Sequence, residues 1–120
     1  MKLGWRAGLA SVLMLVGTAA YADGSASAGA QKIKTLGCIN CHGRGGVSKL
    51  PDAPNLAGQV QVYIVSSLQA YHSGERKNEL MKTVAQPLTE ADIADLAAYY
   101  PSIQVSATPP PKPEWHCHGN

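Results

Sequence analysis

Residues 38–43 read Cys38-Ile39-Asn40-Cys41-His42-Gly43. Two thiols and an imidazole this close together can hold a metal, cycle as a dithiol, or anchor a haem. The spacing C-x-x-C-H is that of a c-type haem attachment. The two thiols add across the two vinyl groups, and the adjacent His is carried under the iron as its proximal ligand. A zinc site needs a companion Cys or His pair, and the part of the chain read as folded holds none. A thioredoxin-like C-x-x-C needs a βαβ setting, whereas the pattern around this pair is helical. The bland alternative is an accidental match, with two buried or disulfide-linked thiols.

Covalent haem attachment requires export, and the start of the chain supplies an export signal. In MKLGWRAGLASVLMLVGTAAYADG, Lys2 and Arg6 make a positive start, Leu9 to Val16 an apolar run, and Ala20-Tyr21-Ala22 a small-x-small cleavage site. Residues 1–22 read as a secretory signal peptide cut after Ala22. The apolar run is too short to span a bilayer comfortably, which disfavours a retained anchor helix. Two of the ten Lys and Arg residues leave with it, so eight basic groups face eight acidic ones. A neutral mature chain lacks the basic excess of a nucleic-acid binder. Just under a hundred residues remain, enough for one domain with a thin core, and the chain contains no Phe. A flat buried cofactor would fill that deficit.

The rest of the mature chain reads as all-α with long connections. Ser25 or Ser27 caps a first helix through Ala28–Leu36, with Ile33 and Leu36 on one face and Gly37 at its end. Residues 43–54 are loop, punctuated by Gly45-Gly46, Pro51 and Pro54. A second helix is expected from about Gln59 to His72, on a stripe of Val60, Ile64, Leu68 and Tyr71, with Gly74 as its stop. Residues 75–87 read as loop with at most one helical turn. In the last helix Thr89 is the N-cap, Asp92 completes a capping box, and Leu88 and Ile93 form a hydrophobic staple. Ile93, Leu96, Ala97 and Tyr100 make its buried stripe, and Pro101 ends it. From residue 104 a Pro-rich, disordered tail is expected.

An iron carried by His42 needs something on its other side. Met1 and Met14 depart with the signal, which leaves Met81 as the sole Met of the mature chain, in the stretch read as loop. A lone Met is usually core filler; beside C-x-x-C-H it becomes the expected thioether ligand. His72 is the rival ligand, although its place off the apolar stripe suits a solvated side chain better. A proximal His also needs its other ring nitrogen held by a carbonyl or carboxylate, and the loop to Pro54 can return a carbonyl to His42.

These residues resemble the class I c-type cytochromes, above all small single-haem bacterial members and one half of the periplasmic dihaem cytochromes. The likeness runs from Ala26 to about Tyr100. It is carried by Cys38–Gly43, Pro54-Asn55-Leu56-Ala57-Gly58-Gln59, Tyr63 with Tyr71, Gly74-Glu75-Arg76, Met81 and Leu88–Tyr100. It implies three to five helices wrapped round one covalently attached haem c, within residues 23–103. It also implies Cys38 and Cys41 as thioethers, His42 and Met81 as axial ligands, and Pro54 as the carbonyl acceptor. The first and last helices would cross near Gly29 and Tyr99. Arg76 would approach a haem propionate, with a solvated surface Arg as the other reading.

A His/Met pair closes both axial positions, leaving none for substrate, and the thioether raises the potential. The expected function is therefore a periplasmic one-electron carrier, not an enzyme. The partners expected of it are redox proteins such as a membrane cytochrome complex, a terminal oxidase or a periplasmic reductase. No nucleic acid and no stable membrane insertion are expected. Residues 32–82 carry seven basic and three acidic side chains. Lys32, Lys34, Arg44, Lys49, Arg76, Lys77 and Lys82 are accordingly expected around the haem, to meet acidic partners. One alternative is a five-coordinate haem sensor or peroxidase-like subunit. Another is a metal-handling protein working through His116, Cys117 and His118 in the tail, where the odd Cys also permits an intermolecular disulfide.

Overall fold

The computed structural model describes residues 23–109. The expected signal peptide and the end of the Pro-rich tail, with Cys117, lie outside the described residues. Five α-helices run in chain order: α1 (Ala26–Thr35), α2 (Ile39–His42), α3 (Gln61–Ser73), α4 (Glu79–Ala85) and α5 (Glu90–Tyr99). A 3-10 turn at Tyr100–Ser102 follows, holding Pro101, so α5 stops where the proline requires. No strand forms among the described residues, and none of their helices is long and apolar enough to cross a membrane.

Local chemistry sets the helix ends. Ser25 caps α1, its Oγ accepting the Ala28 N–H at 3.3 Å. The α5 capping box forms in full. Thr89 Oγ1 accepts the Asp92 N–H at 3.1 Å, and Asp92 Oδ2 accepts the Thr89 N–H at 2.9 Å. Gly74 ends α3 with φ +79, a left-handed conformation that favours glycine.

Two expectations need correcting. The second helix begins at Gln61, not Gln59, because residues 56–59 are spent on a turn: the Gln59 N–H reaches the Leu56 carbonyl at 3.0 Å. Val60 is therefore a cap, 59% exposed, and drops out of the apolar stripe. Within residues 75–87, α4 is a helix of seven residues and not a loop. Asn78 caps it, its Oδ1 accepting the Met81 N–H at 2.9 Å, and Glu79 complements the positive helix end.

The buried core comprises Ile33, Ile64, Ala85, Leu88, Ile93, Leu96, Ala97 and Tyr100. It lies where α1 and α3 meet α5. Gly29 lets α1 and α5 touch backbone to backbone: a Cβ there would run into the Asp95 carbonyl and come within 2.7 Å of Tyr99 Cβ. Lys32 then bridges the same helices, its Nζ 2.8 Å from Asp92 and 2.6 Å from Asp95.

Candidate functional site

The Cys pair does more than follow α1, as the sequence reading had it, for residues 39–42 are themselves a turn of helix. The His42 N–H bonds the Cys38 carbonyl at 3.0 Å, so Cys38, Cys41 and His42, at relative positions i, i+3 and i+4, share one face. Gly43 leaves the turn at φ +81, pressed against the Val47 carbonyl so closely that a Cβ would overlap it. Only glycine meets both demands.

His42 is the buried polar residue among the described ones, 8% exposed. Its Nδ1 lies 2.9 Å from the Pro54 carbonyl oxygen. A carbonyl only accepts, so Nδ1 carries the proton and Nε2 keeps its lone pair as a ligand. The loop that delivers Pro54 is pinned from within. The Gly46 carbonyl accepts from Leu56 N–H at 2.7 Å and Ala57 N–H at 2.9 Å. Ser48 Oγ donates to the Cys41 carbonyl at 2.7 Å, and Asn55 Oδ1 accepts the Ser48 N–H at 2.8 Å. Ser48 was missed in the sequence, where nothing but its place in a Gly- and Pro-rich loop singles it out, and Asn55 was named only as part of the Pro54–Gln59 stretch, with no role of its own.

Cys38, Cys41, His42, Pro54, Arg76 and Met81 all line one cavity of about 520 Å³. Its other walls are largely apolar, including Leu56, Ile64, Leu68 and Leu96. Leu80, 62% exposed, and Tyr63, 47% exposed, stand on its rim. These residues fit a haem. An imidazole nitrogen with a fixed tautomer and a thioether face the same apolar space, with two thiols beside the imidazole. No cluster of three His, Cys, Asp or Glu groups gathers among the described residues to suggest another metal. Burial pushes the Cys38 thiol pKa up, the reverse of what a dithiol redox nucleophile needs. The rival ligand His72 does not line the cavity; its Nδ1–H donates to the Ala85 carbonyl at 3.1 Å.

Arg76 is tied into the cavity wall. Its guanidinium sits 4.7 Å from the Tyr71 ring centroid and donates to Ser67 Oγ at 3.0 Å. The same guanidinium, with Ser67, draws the Tyr63 phenol below its ordinary pKa. Lys32 departs from the expected basic face. It does not line the cavity and is consumed by Asp92 and Asp95, leaving Arg76 and Lys77 as the lining cations.

Residues 26–103 match the family model described as cytochrome c. The chain belongs to the cytochrome c family. This cytochrome is 49% identical to cytochrome c-554(548) of Halomonas halodenitrificans over 82 residues, covering 66% of this chain and 96% of that protein. It is 40% identical over 78 residues to a thiosulfate dehydrogenase electron acceptor of Thiomonas intermedia, covering 63% of this chain and 36% of that one. The solved cytochrome c4 of Acidithiobacillus ferrooxidans superposes with a TM-score of 0.61 at 34% identity, over 65% of this chain and 49% of that one. The chain thus spans nearly the whole of the Halomonas cytochrome and about half, or less, of the two longer relatives. The cytochrome is an electron-transfer protein and not a catalytic enzyme, and its cofactor is covalent haem c, with Cys38, Cys41 and His42 as the C-x-x-C-H set.

Proposed function

We propose that this cytochrome is a periplasmic one-electron carrier with a closed His/Met axial pair. Cys38 and Cys41 would hold a haem c through thioethers, and His42 and Met81 would bind its iron. The Pro54 carbonyl keeps Nε2 of His42 available, and Arg76 neutralises a propionate at the cavity wall. A haem c held there supplies a one-electron iron couple. The observation that carries the reading is the sharing of one apolar cavity by His42, already fixed through Nδ1 at 2.9 Å, and Met81. With both axial positions taken, the residues leave no place for a substrate, and exchange of electrons is the chemistry that remains.

The apolar rim at Leu80 and Tyr63, beside Arg76 and Lys77, suits brief docking by a redox protein with an acidic surface. An oxidoreductase of inorganic sulfur compounds is one candidate donor, on the strength of the Thiomonas relative's name. A membrane cytochrome complex, a terminal oxidase or a periplasmic reductase is the other partner. The test is spectroscopic. The oxidised wild type is expected to show the charge-transfer band of a Met thioether on ferric iron, and Met81→Ala to lose it while keeping covalent haem on a denaturing gel. A wild type without that band would overturn the Met81 ligation and favour the five-coordinate alternative.

A further inference from the structure

At seven residues α4 is well below the length at which a helix is stable alone, yet it carries Met81. Side chains hold it at both ends. At its start, Asn78 Oδ1 takes the Met81 N–H at 2.9 Å. At its end, Ala85 is fully buried, and its carbonyl receives the Leu88 N–H at 3.1 Å from the next turn of chain. The second donor to that carbonyl comes from another helix: His72 Nδ1–H, also at 3.1 Å. His72 stands in the last turn of α3, whose Ile64 belongs to the core. The bond therefore runs from the packed α3–α5 layer to the far end of the helix that bears Met81.

We propose that His72 is a positioning residue for Met81: acting through the Ala85 carbonyl, it holds α4 against the cavity and sets how often Met81 withdraws from it. The proposal rests on Met81 being the axial ligand. An exogenous imidazole can take that position only in the fraction of molecules whose Met81 has withdrawn, so its apparent affinity reports that fraction.

The experiment is an imidazole titration of the full-length ferric holoprotein, followed through the Met-to-iron band. Without the bond, His72→Ala is expected to bind imidazole about fivefold more tightly, the factor for one net hydrogen bond. His72→Asn, which keeps an N–H donor near the Nδ1 position, returns the affinity to within about twofold of wild type. Ser73→Ala loses a bond of the same helix end, from Ser73 Oγ to the Ala70 carbonyl, and leaves the affinity unchanged. An unchanged affinity in His72→Ala, an Asn variant no tighter than Ala, or an equal rise in Ser73→Ala each overturns the proposal. A wild type lacking the band altogether overturns the ligand reading first and this one with it.

Discussion

Gly29 shows how much a single position can decide. Its missing side chain is what lets α1 lie on α5, and a Cβ there meets the Asp95 carbonyl and Tyr99 Cβ. We predict that Gly29→Val lowers unfolding free energy by about 2–3 kcal/mol, since neither neighbour is a flexible tip; a denaturant titration measures it. At the cavity wall, Arg76 and then Ser67 draw the Tyr63 phenol down. Arg76→Leu is expected to raise that pKa, which ultraviolet titration of the phenolate reads directly. Cys38, Cys41 and His42 were legible in the sequence because their chemistry is intrinsic to the side chains; Met81 was singled out for the same reason, and its side chain lines the cavity they share. Ser48, the role of Asn55 and the bracing role of His72 were not legible, because each acts through a hydrogen bond to chain seven or more residues away.

At the scale of elements, α5 is tied twice at one end. Asp92 closes its capping box and also meets Lys32 of α1. The Lys32 ammonium, then the Thr89 hydroxyl and N–H, pull the Asp92 pKa from its ordinary 3.8 to about 2. The unfolded chain therefore binds the proton more readily. This contribution to stability is complete above about pH 4 and is lost as pH falls through about 2. Lys32→Met is expected to weaken the acid dependence in that window, read as a shallower slope of unfolding free energy against pH. Capping signals made α5 and the start of α1 readable. The same reading failed for α4, because seven residues give too little periodicity and Asn78 was not recognised as a cap.

At the scale of the molecule, the fold is built around space for its cofactor. Among the described residues few large side chains are fully withdrawn from solvent, Ile33 and Ile93 foremost, while a cavity of about 520 Å³ opens among α2, α3, α4 and α5. The Cys38→Ala/Cys41→Ala variant, unable to attach haem, is expected to show no cooperative melting transition by calorimetry. The apolar cavity walls would then lack a filling. The expected basic face is smaller than composition alone implied, since Lys32 is neutralised by Asp92 and Asp95. With Arg76 and Lys77 at the cavity, electron transfer to an acidic partner should slow as salt rises. Rates in stopped flow at increasing ionic strength test this, with Lys77→Glu expected to flatten the dependence.

The amino-acid order alone sets the chemistry: a C-x-x-C-H motif, one Met among the described residues, and helices whose starts are written in Ser25, Thr89 and Asp92. These are local facts, set by side-chain reactivity and by hydrogen bonds that span three or four residues. What faces what is settled by the folding of the chain. It turned Nδ1 of His42 onto Pro54, brought Met81 into the same cavity, spent Lys32 on the α1–α5 contact and put His72 to work as a brace. Such pairings depend on where loops return the chain, and a loop's path is fixed by the whole set of contacts it closes, not by its own residues.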